Sequence, residues 1–351
     1  MGQTKVIKVS PDFPEPKLID EAAVVLRNGG LVAFPTETVY GIAADALNQK
    51  TIDRLYEIKK RPKDKPFSIH IADFDSLENL GIALSKDAER IARRFWPGPL
   101  TLVAFNNNKE KIGIRMPDNK IAYLLLKKAG VSAVAPSANI SGNKPPITAE
   151  EVLSEMRGHV DIILDGGRTR IGIESTVMDV TEKPFKILRQ GAIPSEEVLI
   201  DYNILFVCTG NSCRSVMAKG IMEKFINESG LSAKVHIDSA GTSTFAGIGP
   251  APNTVIAMKE EGVDVSGHVG KNINNDILKR SDIIFVMEKV HRNIILSMMP
   301  GIESKIKLLR ESEDVPDPIG KSIEEYRYVL GIIKEEIGNI FLEIFKEEKA
   351  Q

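Results

Sequence analysis

Ile204-Leu-Phe-Val-Cys-Thr-Gly-Asn-Ser-Cys-Arg-Ser215 is an apolar run that stops abruptly at a cysteine, in a chain of 351 residues. Ile204 to Val207 reads as a strand, and the residues from Ser215 onward read as a helix. Between Cys208 and Arg214 lie five residues: Thr209, Gly210, Asn211, Ser212 and Cys213. A loop of that length, closed by a helix, can point successive backbone N–H groups and the helix N-terminus at one spot, which is an anion site. Phosphate is the anion expected there. Arg214 brings a planar fork of donors that matches two phosphate oxygens, and the same positive field keeps Cys208 as the nucleophilic thiolate. Gly210 and Asn211 are expected to supply left-handed backbone for the cradle, and Ser215 a hydroxyl for the sulfur. The competing reading is a buried cysteine in a generic nucleotide-binding turn. No G-x-G-x-x-G or G-K-S/T pattern supports it.

Outward from this loop, residues 201 to 351 alternate strand and helix. Strands are expected at 204–207, 235–238 and 282–287, with helices at 215–228 and 252–261. A long amphipathic helix from Ser322 places Ile323, Tyr326, Leu330, Ile333, Ile337, Ile340, Phe341 and Ile344 at core spacing, before a charged tail, Lys346 to Gln351. Strands separated by helices predict a parallel, Rossmann-like sheet covered on both faces. Upstream, Arg189-Gln-Gly191 and the polar stretch Pro194 to Glu197 mark a boundary near residue 201, giving domains 1–200 and 201–351. The first domain also reads as α/β, with strands at 31–34, 131–135, 162–164 and 176–180 and helices at 51–60 and 86–95.

Charge and composition narrow the functional classes. Residues 1–200 carry 28 basic and 26 acidic side chains and residues 201–351 carry 18 and 22, so neither half is a polycation. An RNA contact would have to come from a local cluster. Two cysteines, Cys208 and Cys213, are too few for a disulfide scaffold. With no membrane-length apolar run and no signal-like N-terminus, the chain reads as cytoplasmic.

In order along the second half come Val207 to Ser215, Asp238-Ser-Ala-Gly-Thr242, Ser281-Asp-Ile-Ile-Phe-Val-Met287 and Pro316-Asp-Pro318. This series resembles the low-molecular-weight protein tyrosine phosphatase family over residues 203 to about 345. The resemblance implies phosphoryl transfer to Cys208, a phosphoprotein substrate and no cofactor. It makes Asp317 the acid that protonates the leaving group and then the base for water, and Cys213 a redox partner that shields Cys208. Ser212 stands where tyrosine-directed members carry a bulky aliphatic, and Ile319-Gly320 where they carry aromatics. Both features are similar to the protein-arginine phosphatase branch, so phosphoarginine is preferred over phosphotyrosine.

In the first half, Lys59-Lys-Arg-Pro-Lys-Asp-Lys-Pro66 and Pro136-Ser-Ala-Asn-Ile-Ser-Gly142 taken alone suggest no more than a solvated helix end and a polar turn. Their order with Phe34 to Gly41, Trp96 to Thr101, Arg115-Met-Pro117, Ser175-Thr176 and Leu188 to Gly191 resembles the YrdC/TsaC family, a twisted open α/β domain. That resemblance implies synthesis of threonylcarbamoyl-adenylate from L-threonine, bicarbonate and ATP, with magnesium on the ATP, for tRNA modification alongside partner proteins. It carries Lys59, Arg61, Ser137, Asn139 and Arg189 over to ATP, and Thr36, His70, Arg115 and Ser175 to threonine, with Arg115 the carboxylate partner. A rival reading is an RNA-binding maturation module with a phosphate-sensing, catalytically weak second domain.

Overall fold

The structure, a computed structural model, describes residues 3–245 and 247–345; the charged tail Lys346 to Gln351 lies outside the described residues. The chain divides into two compact units, Met1–Leu199 and Ile200–Gln351.

The strands of the first unit are β1 Lys5–Lys8, β2 Val32–Pro35, β3 Tyr40–Asp45, β4 Ile69–His70, β5 Leu100–Phe105, β6 Lys111–Arg115, β7 Ala133–Val134, β8 Ile162–Asp165, β9 Thr176–Asp179 and β10 Lys186–Arg189. They make one mixed sheet in the order β1-β8-β2-β3-β7-β4-β6-β5-β9-β10. Strand β2 shows why the sheet is covered on both faces. Val32 and Phe34 enter one core with Ile19 and Leu26 of the helix Pro16–Arg27 and Ile121 and Leu125 of the helix Lys120–Ala129. Ala33 enters the other core, with Leu55, Ile91 and Val152. Successive side chains point to opposite faces, and both faces are apolar.

The strand expected over 131–135 shrinks to β7, because Pro136 has no N–H to give the ladder; pairing with β3 resumes in the same register at the Gly41–Ser137 bridge. Strand β3 went unread for a complementary reason. Gly41, Ala43 and Ala44 have low β-propensity, and burial between β2 and β7 overrides it.

The second unit has β11 Tyr202–Cys208, β12 Val235–Gly241, β13 Ile283–Val286 and β14 Ile306–Leu308, in the order β12-β11-β13-β14 with every pair parallel. On β11, Ile204, Phe206 and Cys208 face the helices Arg214–Glu228 and Ile323–Phe345, while Leu205 and Val207 face Leu278 and Ile295 on the opposite side. The expected two-faced parallel sheet is present. In the long helix the expected Ile323, Phe341 and Ile344 are only partly covered, and Val329 and Phe345 join the buried stripe instead. Among the described residues no helix is long and apolar enough to cross a membrane.

Candidate active sites

In the second unit the central strand β11 ends at Cys208, at the carboxyl edge of the sheet where open α/β folds bind ligands. The sulfur is buried and lies 3.0 Å from Ser215 Oγ, in the first turn of the following helix. Asn211, wholly buried, takes the left-handed turn with φ 48°. Its Nδ2 donates to Ser215 Oγ and Ser239 Oγ, both at 3.0 Å, and its Oδ1 accepts the Lys271 N–H at 3.0 Å. Its carbonyl accepts from His268 Nε2 at 2.9 Å. Gly210 does not share this backbone state, contrary to expectation, and a Cβ there would meet only Ser212 Oγ at 3.5 Å. The tight glycine is Gly241 across the loop, whose added Cβ would stand 2.5 Å from the Thr209 carbonyl oxygen.

Arg214 is 1% exposed. Its Nη1 donates to Glu288 Oε1 at 2.5 Å and to the Val315 carbonyl at 2.8 Å, and its Nη2 to Asp317 Oδ2 at 2.7 Å. Asp317 is thus brought to the loop from more than a hundred residues away. Its other oxygen accepts the Ile319 N–H at 3.1 Å. Both cysteines are free thiols, with Cys213 Sγ 3.5 Å from the Tyr326 hydroxyl. The Ser212 carbonyl is tied to Ala251 N and Thr254 Oγ1, both at 3.0 Å, which seats this side of the loop on the helix Pro252–Glu260.

Glu288, His291 and His268 escaped the sequence reading, whereas Ser239 lies in the Asp238–Thr242 motif, where it was given no role. Glu288 had a usable signal: β13 pairs with β11 in register at Val207 and Val286, so residues just past Val286 reach the level of Cys208. His268 and His291 sit below the usual imidazole range, in each case mainly through burial.

In the first unit a cleft of about 610 Å³ gathers most of the expected residues: Arg61, Ser137 and Arg189 from the nucleotide set, and Thr36, His70, Arg115 and Ser175 from the threonine set. Lys59 and Asn139 do not line it. The Lys59 ammonium, 2% exposed, turns inward and donates to the carbonyls of Ser137 at 2.5 Å and Asn139 at 2.7 Å. In this structure the ammonium anchors the turn that carries Ser137. Burial, with Arg61 adding to it, pulls that ammonium down to about 8. Asn139 donates to the carbonyls of Ile140 and Asn143, while its buried Oδ1 has no hydrogen-bond partner.

The cations of the cleft are also committed. Arg189 pairs with Glu174 at 2.9 Å and donates to the Ser175 carbonyl at 2.9 Å. Arg115 lies 2.8 Å from buried Glu37 and donates to Thr38 Oγ1 at 2.8 Å. Arg61 donates to the Lys65 carbonyl at 2.8 Å and stands over the Phe67 ring. Lys63, in the same basic run, pairs with Asp53 at 2.6 Å. His70 is buried with Nδ1 unpartnered, and burial holds it neutral at neutral pH. Tyr40, Thr101 and Glu174 line the cleft without having been singled out. Among the lining residues described, Glu174 is the one carboxylate, and no cluster of three or more metal-ligating side chains occurs among the described residues.

Comparison with known proteins follows the same division. The Sua5/YciO/YrdC family model, described as "Telomere recombination", matches residues 24–191. The model described as "Low molecular weight phosphotyrosine protein phosphatase" matches residues 203–350. A threonylcarbamoyl-AMP synthase of Pyrococcus abyssi is 45% identical over 204 residues, covering 56% of this chain and 60% of that protein. One from Vibrio vulnificus is 30% identical over 184 residues, covering 49% of this chain and 98% of that protein. The crystal structure of Pyrococcus abyssi Sua5 complexed with L-threonine aligns with a TM-score of 0.53 at 26% identity, over 95% of this chain and 98% of that one. The chain thus spans little more than half the length of the first curated relatives it matches. On the matched motifs and the loop-built cleft, the first half of the chain belongs to the Sua5/YciO/YrdC family, and the second half carries the domain matched by the low-molecular-weight phosphotyrosine protein phosphatase model.

Proposed function

We propose that the chain is a two-activity enzyme. The first unit joins L-threonine, bicarbonate and ATP into threonylcarbamoyl-AMP with loss of pyrophosphate and water, the donor for tRNA threonylcarbamoylation by partner proteins. The second hydrolyses phosphoryl groups on protein through a phosphocysteine. What carries the first reading is one cleft that collects Arg61, Arg115 and Arg189 with the hydroxyls of Thr36, Ser137 and Ser175, in a domain similar to named threonylcarbamoyl-AMP synthases. Three cations suit a triphosphate and an amino-acid carboxylate, and no lining side chain is placed as a covalent nucleophile. ATP enters as its magnesium complex, in which the ion neutralises phosphate charge. Glu174 is the one carboxylate among the described lining residues of the cleft. Polyphosphate binding has to draw Arg189 from Glu174, and that exchange of one anion for another orders the cleft around the nucleotide.

In the second unit Cys208 Sγ attacks phosphorus in line with the leaving atom, forming S–P as the bond to the leaving group breaks. The loop N–H groups and Arg214 hold the equatorial oxygens. Asp317 protonates the leaving group, then takes a proton from the water that cleaves S–P and frees phosphate. The Arg214–Asp317 contact at 2.7 Å is the resting arrangement. A bound phosphoryl group claims the guanidinium fork and releases the carboxyl to accept a proton. Ser215, 3.0 Å from the sulfur, stabilises the thiolate as leaving group in the second step. Small Ser212 and aliphatic Ile319 favour phosphoarginine over phosphotyrosine.

The test incubates the chain with ATP, bicarbonate and threonine and follows pyrophosphate and the adenylate, with Arg61→Ala as control. In parallel, phosphoarginine and phosphotyrosine peptides are compared before and after Ser212→Ile. Equal rates on both peptides defeat the phosphoarginine assignment.

A further inference from the structure

The helix Lys289–Met298 begins with a buried histidine that the hydrolysis scheme above does not use. His291 Nδ1 accepts the Glu288 backbone N–H at 3.1 Å, which leaves the ring proton on Nε2. That nitrogen lies 2.9 Å from Thr209 Oγ1, so the ring donates to the residue next to the nucleophile in the chain. The same ring fixes the backbone of Glu288, whose carboxylate holds Arg214. Thr209 is pinned from the other side as well, its carbonyl accepting the Ser243 N–H at 3.0 Å. One imidazole therefore bridges the entry of the phosphate loop and the partner of its arginine.

We propose that His291 is a positioning residue for the phosphate loop: neutral, it ties Thr209 to the Glu288–Arg214 pair, and protonation unties them and weakens oxyanion binding. This rests on the phosphatase reading of the second unit. The charged groups facing the ring are Glu288, Arg214, Asp314 and Asp317. Burial, joined by the Arg214 charge, outweighs the three carboxylates and keeps the ring neutral to a lower pH than an exposed histidine. A proton on Nδ1 meets the Glu288 N–H donor to donor, and the new cation competes with Arg214 for the Glu288 carboxylate, 3.9 Å from Nε2.

The experiment uses the full chain and its His291→Gln, His291→Asn and Thr209→Val variants. Inorganic phosphate affinity is measured by calorimetry, and kcat/KM on p-nitrophenyl phosphate, between about pH 4.5 and 8. Gln keeps a donor near the Nε2 position and does not titrate; Asn keeps the acceptor for Glu288 but does not reach Thr209. Thr209 is exposed, so Thr209→Val removes the bond without disturbing the core. In the parent chain, affinity and kcat/KM fall together below the ordinary histidine range, and His291→Gln removes that step from both profiles. Asn and Val lower both at neutral pH by about fivefold, the worth of one hydrogen bond. The same acidic step in His291→Gln, or parental phosphate affinity in both Asn and Val, overturns the proposal. Phosphate binding that keeps its His291-dependent step without turnover overturns the phosphatase reading and leaves the positioning role standing.

Discussion

Replacing Lys59 by methionine separates two ways in which a lysine can serve a nucleotide cleft. The ammonium donates to the carbonyls of Ser137 and Asn139, and burial has moved it from 10.5 to about 8. Holding it charged at neutral pH therefore costs about 3 kcal/mol relative to water. Lys59→Met removes that cost and orphans two carbonyls, at about 1–3 kcal/mol each. The opposing amounts nearly cancel, so the first unit should lose at most ~3 kcal/mol and remain folded. The turn carrying Ser137 loses its anchor, and KM for ATP should rise about tenfold, as for a substrate hydrogen bond no longer aligned. Because the loss runs through Ser137, Lys59→Met combined with Ser137→Ala should be scarcely worse than the worse single variant. KM for ATP by pyrophosphate release, with thermal unfolding alongside, completes the double-mutant cycle. The parental KM should also stay flat as pH rises through about 8, since a neutral amine still has N–H groups for both carbonyls. Additive losses in the double variant, or a KM that climbs as the ammonium is discharged, refute the anchoring role and return Lys59 to the phosphates.

Other expected outcomes are more direct. Cys208→Ser should abolish hydrolysis of an aryl phosphate, and Asp317→Asn should slow it by about 10² to 10⁴ with phosphate binding kept; retained turnover in Cys208→Ser excludes a phosphocysteine. Gly241→Ala places a methyl 2.5 Å from the Thr209 carbonyl oxygen and 3.1 Å from the Asn211 nitrogen. It should distort the loop and cost phosphatase activity at least tenfold while pyrophosphate release by the first unit serves as the internal control; parental kinetics would show that the loop tolerates the methyl. His70, His268 and His291 are all lowered, chiefly by burial. Unfolding exposes them to protonation, so their contribution to stability is intact above the ordinary histidine value of about 6.5. It is lost progressively as pH falls from there toward their folded values. Denaturant midpoints measured through that window should drop, and a flat profile counts against neutral buried rings.

The sequence by itself determined the elements and motifs whose logic is local. An apolar strand, five loop residues, an arginine and a helix are contiguous from Ile204 to Glu228, so backbone geometry alone brings Cys208 and Arg214 to one anion site. The two-residue alternation of β2 and β11 likewise announces a sheet buried on both faces. Tertiary structure alone decided which partners hold those groups. Glu288 and His291 reach the loop from 74 and 82 residues away, and Lys59 reaches its two carbonyls across 78 and 80. Such pairings follow from sheet order and register, and no local pattern encodes them. The same holds for the inward turn of Lys59: its charge in the sequence suggests solvent or phosphate, whereas the packed turn presents two carbonyls that must be satisfied where water does not reach.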